Sequence, residues 1–289
     1  MAGRVVATIS GGFRVDGAWC REVHLREITG EDQAYLVEDA GALLPAEWTT
    51  ELLGRCALRA DNGEPLTGDQ LRSLTVGDRE ALILQLRRLT SGDRMQCVLN
   101  CPSPDCMAKL DVDLSVTDLL VPGIDGSQER YEAQLTGEGA SWLVRFRLPT
   151  GGDQEAVAGL ARTDLGAAVE TLLRRSVDGA VSLEGAQEPE LPEAVRRQLP
   201  GLMSELDPQA EIHLQVTFQA CGGTFDVLFD AAGYFFQELK AGMRHLLHEV
   251  HLLAYHYHWS LREILTMSVC VRRRFLRLLE EELSAGATA

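Results

Sequence analysis

The 289-residue chain carries 27 Lys and Arg against 43 Asp and Glu, a formal net charge of −16, with 45% hydrophobic and 24% charged residues. The acidic balance argues against a duplex nucleic-acid binder, which needs a basic face to displace counterions, and the lack of an apolar run of about 18 residues argues against a transmembrane helix. The opening MAGRVVATISGG is too short and too polar for a secretory core, so the chain is expected in the cytoplasm.

Short β-rich runs come first, split by Gly11-Gly12 and turned at Asp16-Gly17, a good two-residue hairpin signal. GEDQAYLVEDAG predicts a short helix ended by Gly41, and residues 46–60 predict another, with Leu52, Leu53 and Cys56 on one side. Thr67 and Thr75 are N-cap candidates. After Thr75, Ala81, Leu82, Leu84 and Leu86 predict a helix that stops at Gly92. MQCVLNCPSPDCMAKLDVDLSV reads as strand, knuckle, strand, with Leu110, Val112 and Leu114 alternating against Asp111 and Asp113. Residues 129–135 and 141–148 predict a hairpin with Trp142, Val144 and Phe146 on one face, followed by two short helices to about Ser176. VDGAVSLEGAQEPELPE reads as turn and linker, and a helix is expected over about 192–206. EIHLQVTFQACGGTFDVLFD is a second strand–knuckle–strand unit. It leads into a long helix with Phe235, Leu239, Met243, Leu246, Val250 and Leu253 at spacings of three and four. Ser260 caps a short helix, a last helix is expected over about 268–283, and the tail SAGATA is expected to be disordered.

Two constellations could carry chemistry. Cys106 and Cys221 each open the pattern Cys-x-x-x-apolar-Asp-Val-x-apolar, which suggests two knuckles meeting in space. A structural zinc takes ligand pairs from such knuckles. Cys101 and Cys106 would form one pair and Cys221 half of another, but the place for its partner holds Phe218. Cys97 could fill the gap, although it lies about 13 Å upstream along a strand. The other reading is that these cysteines are small buried hydrophobes. Cys20, Cys56 and Cys270 make the total seven, an odd count that argues against a disulfide scaffold. The histidines crowd at His245, His248, His251, His256 and His258. HEVHL fails the zinc-helix spacing, because a ligand four residues after His248 would fall on Leu252. Phosphate-loop, Gly-x-Ser-x-Gly and dinucleotide motifs are absent. Arg272, Arg273, Arg274 and Arg277 precede Glu280–Glu282, a solvated face or a docking surface.

The order of these features resembles a family. Phe225-Asp226, Tyr234-Phe235-Phe236-Gln237-Glu238, His248-Glu249-Val250-His251, Leu253-Ala254, Tyr257-His258-Trp259-Ser260, Glu263-Ile264-Leu265 and Arg272-Arg273-Arg274 follow one another. LREITGEDQAYL, LTVGDREALILQLRRLTSGDR and the CPSPDC knuckle precede them. Together they look like the T4-type baseplate-hub family of contractile phage tails and extracellular contractile injection systems. The likeness covers most of the chain and is weakest over about 150–205. Phe218 is a departure, because the later knuckle of relatives tends to carry a second cysteine there; the first knuckle is also longer than the shorter family form.

The resemblance implies a structural, non-enzymatic part of a contractile particle. Such a part would be present in multiple copies and would touch hub, tube and wedge proteins. It implies a structural zinc at Cys101, Cys106 and Cys221, and interface roles for Trp259, Arg272, Arg273 and Arg274. An assembly chaperone absent from the mature particle is the first alternative, and a zinc-dependent enzyme or effector cargo the second. The expected fold is α+β: small antiparallel hairpin and knuckle units packed with several helices, and long helices at the C-terminus. Its segments would be 1–92, 93–205 and 206–289, with the two knuckles closing the halves on each other.

Overall fold

A computed structural model describes residues 4–122, 128–137, 139–183 and 191–286. Strands β1 (Arg4–Val15) and β2 (Ala18–Arg26) form the opening hairpin. Asp16 and Gly17 both take positive φ, 49° and 83°, the geometry whose twist matches the flanking strands. Gly11-Gly12 does not split β1 as expected. It sits in a bulge where the register slips between Thr8 and Phe13, with Gly12 at φ 85°.

Helix α1 (Gly30–Ala34) continues into a π-turn over Tyr35–Asp39, and α2 spans Pro45–Cys56. The helix expected to reach residue 60 ends at Cys56. Ala57–Arg59 turn instead into strand β3, which pairs with β2. Three residues are too few to show a period, so only the neighbouring strand defines them. Helices α3 (Gly68–Ser73) and α4 (Val76–Ser91) follow, capped by Thr67 and Thr75. Gly92, at φ 89°, terminates α4.

α4 is the centre of the molecule. Leu82, Ile83, Leu84 and Leu86 are each buried to 1% exposure or less, so the helix is apolar on more than one side. It packs on β1 and α2, and also on two helices near the C-terminus, α10 (Ala231–Tyr257) and α12 (Val269–Gly286). The main core therefore joins residues 7–120 to residues 212–239.

Between these lie two smaller units. β4 (Arg94–Asn100) and β5 (Lys109–Ser115) form the first knuckle hairpin, and α5 (Val116–Leu119) follows. β6 (Tyr131–Gly137) and β7 (Ala140–Phe146) pair as expected, and α6 (Gly151–Ala161) and α7 (Leu165–Ser176) follow. The stretch expected to begin a linker is instead β8 (Val177–Ser182), the third strand of that sheet. Of the rest of the expected linker, residues 184–190 lie outside the described residues. α8 (Glu193–Arg196) and α9 (Leu199–Leu206) share the expected 192–206 helix. Leu135, Trp142, Val144, Phe146, Val195 and Leu199 close a separate core for this unit. β9 (Ile212–Thr217) and β10 (Thr224–Phe229) make the second knuckle hairpin, and α11 (Leu261–Leu265) separates α10 from α12. The architecture is α+β, as the sequence predicts. The final tail residues 287–289 lie outside the described residues.

One local device recurs. Thr29 and Asp32 form a reciprocal capping box at α1, and Thr150 and Asp153 form one at α6. Thr75 caps α4 by accepting from the Asp78 N–H. All three aspartates are buried. Asp32 also holds Arg26 at 2.6 Å and Arg55 at 3.2 Å, and Asp153 holds Arg147 at 2.5 Å and Arg175 at 2.8 Å. Asp78 accepts the N–H groups of Gly11 and Gly12, at 3.0 and 2.8 Å, in the bulged stretch of β1. Each cap is thus a cross-link between elements as well as a helix start.

Gly77 makes another close approach: a Cβ there would overlap the Asp207 carboxylate, which accepts the Gly77 N–H at 2.9 Å. Alanine in an open helical position would stabilise by about 0.5–1 kcal/mol. Here Gly77→Ala is expected to destabilise by about 1–3 kcal/mol, measured by urea unfolding, because the buried carboxylate must move. A stabilised variant would refute the contact.

Candidate metal centre and C-terminal helices

The two knuckle hairpins come together through their apolar faces. Leu110 and Val112 of β5 and Phe225 and Val227 of β10 are the alternating residues of the repeated pattern. They pack into one small core with Leu99, Cys101, Val216 and Phe218. The aspartates of the pattern, Asp111 and Asp226, alternate with them and are exposed. Period-two burial thus explains the echo seen in the sequence.

At the mouth of this core three thiols converge. The sulfurs of Cys101, Cys106 and Cys221 lie within 4.8 Å of one another, and Cys101 Sγ and Cys221 Sγ are 3.8 Å apart. A disulfide requires about 2.05 Å. Two thiolates on one tetrahedral zinc, each about 2.3 Å from the metal, stand about 3.8 Å apart. The cluster therefore has the donor chemistry and spacing of three corners of a metal site. Turn bonds preform it: Cys101 N–H to Ala108 O at 2.8 Å, Cys106 N–H to Ser103 O at 3.1 Å, and Gly222 N–H to Phe218 O at 2.8 Å. Burial pushes the Cys101 thiol up, whereas the Gly223 N–H, with the neighbouring thiols, draws the Cys221 thiol down.

Cys97 does not join them, which corrects its assignment as a fourth ligand. It sits on β4 opposite Val112, and the extended strand carries it away from Cys101. Phe218, at the sequence position where a fourth cysteine would stand, is a core residue, 1% exposed, with its ring edge-on to Phe225 at 5.9 Å. Cys56 is fully buried and its thiol is pushed up to about 12, as expected for an inert packing residue. Among the described residues no second cluster of metal-binding side chains occurs. His245, His248 and His251 are exposed along α10, and His251 stacks on Tyr255.

The C-terminal motifs are joints. Ser260 and Glu263 form the capping box of α11, and Ile264 is buried beneath it. Trp259 is half-buried. It stacks on Tyr257 at 4.7 Å and meets Phe275 edge-on at 4.9 Å, tying the end of α10 to α12. Arg272 is 1% exposed, which corrects its assignment as an interface residue. Its guanidinium donates to Glu249 at 3.0 Å, to Gln33 Oε1 at 3.2 Å and to the Met267 carbonyl at 3.1 Å. Glu249 lies inside HEVH and Gln33 inside GEDQ, so two sequence motifs meet on one buried cation. Arg273 and Arg274 are exposed.

Sequence reasoning missed a group of buried acids at the N-terminal end of α4. Burial, together with nearby Asp78, pushes the Asp207 carboxyl up to about 6. Burial and the neighbouring Asp230 push Glu80 up to about 8. An acid raised in the folded state favours folding while protonated; that advantage is lost as pH rises through the folded value. Glu80→Gln is expected to change stability little at about pH 5 and to stabilise by about 1–3 kcal/mol at about pH 9. Urea titrations at both pH values measure this, and an equal effect at the two would refute it.

A cleft of about 500 Å³ lies away from the thiols, lined by residues of β1, of α3 and of the stretch that leads into β6. No helix of the described residues is long and apolar enough to cross a membrane. Nothing among the curated proteins and nothing among the solved structures matches this chain. A family model described as T4 bacteriophage base plate protein does match it, over residues 19–237. That span runs from the opening hairpin through both knuckles to the first turns of α10, well over half of the chain, and on that ground the chain belongs to the T4 bacteriophage base plate protein family.

Proposed function

We propose that this protein is a structural, non-enzymatic subunit of the baseplate of a contractile tail or injection particle. It would be present in multiple copies and in contact with hub, tube and wedge proteins, with no nucleic-acid or membrane-inserted partner. The family match over residues 19–237 carries this reading. The chemistry of the motif residues supports it: their charged groups are spent on caps and buried ion pairs, as in a part that must hold its shape under load. In this reading Cys101, Cys106 and Cys221 hold a structural zinc that fastens the two knuckle hairpins. Assembly takes place in the cytoplasm.

The test is quantitative mass spectrometry of purified contractile particles. A fixed ratio of this chain to the tail-hub protein is expected. Presence in cell extract but absence from particles would instead make it an assembly chaperone. For the docking surface, reversing Arg273 and Arg274 together to Glu is expected to leave the thermal midpoint unchanged within a few degrees. Particle yield should fall, because both side chains are exposed on α12. Normal particles from this variant would remove the two arginines from the interface.

A further inference from the structure

We infer that the three-thiol centre is coordinatively open: none of the described residues supplies its fourth corner, which is left for a donor atom from outside the protein. The inference rests on the zinc reading above and goes beyond it, because a structural zinc is ordinarily closed by four protein ligands.

The argument is one of elimination at the site. The place of a fourth cysteine holds Phe218, whose ring has no donor and is packed against Phe225. The Phe218 backbone is also engaged. Its N–H donates to Gly223 O at 3.0 Å, and its carbonyl accepts from Gly222 N–H at 2.8 Å and Cys221 N–H at 3.3 Å. Asp105, next to Cys106 in the first knuckle, is exposed and stands outside the thiol group. His213 lies at the opposite end of the β9–β10 hairpin, paired with Leu228, and its ring is held by Asp226 at 3.0 Å. Cys97 lies four residues up β4, opposite Val112, and is outside the thiol group. No other His, Cys, Asp or Glu among the described residues joins the three sulfurs.

The cluster also meets solvent. Cys101 is buried and Cys106 half-buried, but Cys221 is exposed, and Met107 beside Cys106 is 86% exposed. A metal held here would carry three thiolates on its inner side and an exchangeable ligand on its outer side. In the free protein that ligand is water. The class of ligand that replaces it is a single nitrogen, sulfur or oxygen donor, such as an imidazole, thiolate or carboxylate. Three thiolates leave the site with a net negative charge, so the bound water is a poor acid; the open corner suits attachment better than hydrolysis.

The experiment is cobalt(II) substitution of the full-length protein, followed by titration with imidazole. Cobalt is expected to give thiolate charge-transfer absorption with a strength corresponding to three sulfurs. Its visible ligand-field bands should then move as imidazole enters. In Phe218→Cys, checked for native circular dichroism, the imidazole response should be lost because the chain now closes its own site. Wild-type bands that ignore imidazole would overturn the inference while leaving the metal reading intact. An absence of charge-transfer absorption in wild type would overturn both. The wild-type titration decides the matter even if Phe218→Cys does not fold.

Discussion

Arg272→Ala is expected to lower stability by about 3–5 kcal/mol, the range for breaking a buried ion pair from one side. The guanidinium is 1% exposed and joins three elements: α12 through its own backbone, α10 through Glu249, and α1 through Gln33. Removing it leaves a largely buried carboxylate at Glu249, whose side chain is 15% exposed, and an unpaired Gln33 carbonyl. Burial works against the charge of Arg272 and pulls its pKa down, with the Glu249 partner opposing that pull. The pair therefore specifies geometry more than it adds net stability. Two measurements separate these effects. Urea unfolding of Arg272→Ala should show the loss, while Arg273→Ala, one residue on and exposed, should stay within about 0.5 kcal/mol of wild type. The double variant Arg272→Met with Glu249→Leu should recover most of the stability, because the orphaned charge is gone. Equal effects from Arg272→Ala and Arg273→Ala would refute the buried joint.

The second large effect is expected at the thiols. Cys101→Ser should abolish stoichiometric zinc and loosen both knuckle hairpins together, although they are separated by about a hundred residues of sequence. Structural zinc supplies about 10–16 kcal/mol in isolated zinc-finger peptides. Only part of that applies here, because Val216 and Phe218 still pack between the hairpins and the main core does not include the thiols. The global fold should therefore survive. Amide protection should fall across Arg94–Ser115 and Ile212–Phe229, and a strong chelator should reproduce the pattern in wild type. Cys97→Ser should have neither effect. If Cys101→Ser keeps its zinc, or only one hairpin loses protection, the thiols do not fasten the two.

Much of the candidate site is legible in the sequence. The spacing of Cys101 and Cys106, the matching pattern after Cys106 and Cys221, and the apolar alternation in β5 and β10 are local signals with a fixed period. A hairpin face that must be buried leaves that record. Cys97 is offered only because Phe218 leaves the set one thiolate short, and its distance of about 13 Å along a strand, already given by the sequence, keeps it out. Arg272 is misassigned for a different reason. Within the run Arg272-Arg273-Arg274 the three residues are chemically identical, and only the helix rotation relative to α1 and α10 decides which one turns inward.

The elements divide in the same manner. The Asp16-Gly17 turn, the Thr67, Thr75 and Ser260 caps, the stop at Gly92 and the α10 stripe each follow from the few residues that compose them. A left-handed turn, an orphan helix donor and an apolar face are local problems with local chemical answers. β3 and β8 are not legible in this way, because each becomes a strand only by hydrogen bonding to an edge supplied by β2 or β7. The roles of Asp32, Asp78, Asp153 and Arg272 are likewise decided by other elements. Their sequence neighbours announce caps and surface charge, yet all four are buried, because the partners that neutralise or solvate them arrive from elsewhere in the chain. Burial of a charge depends on what the rest of the chain brings to it, and that is a property of the assembled tertiary structure alone.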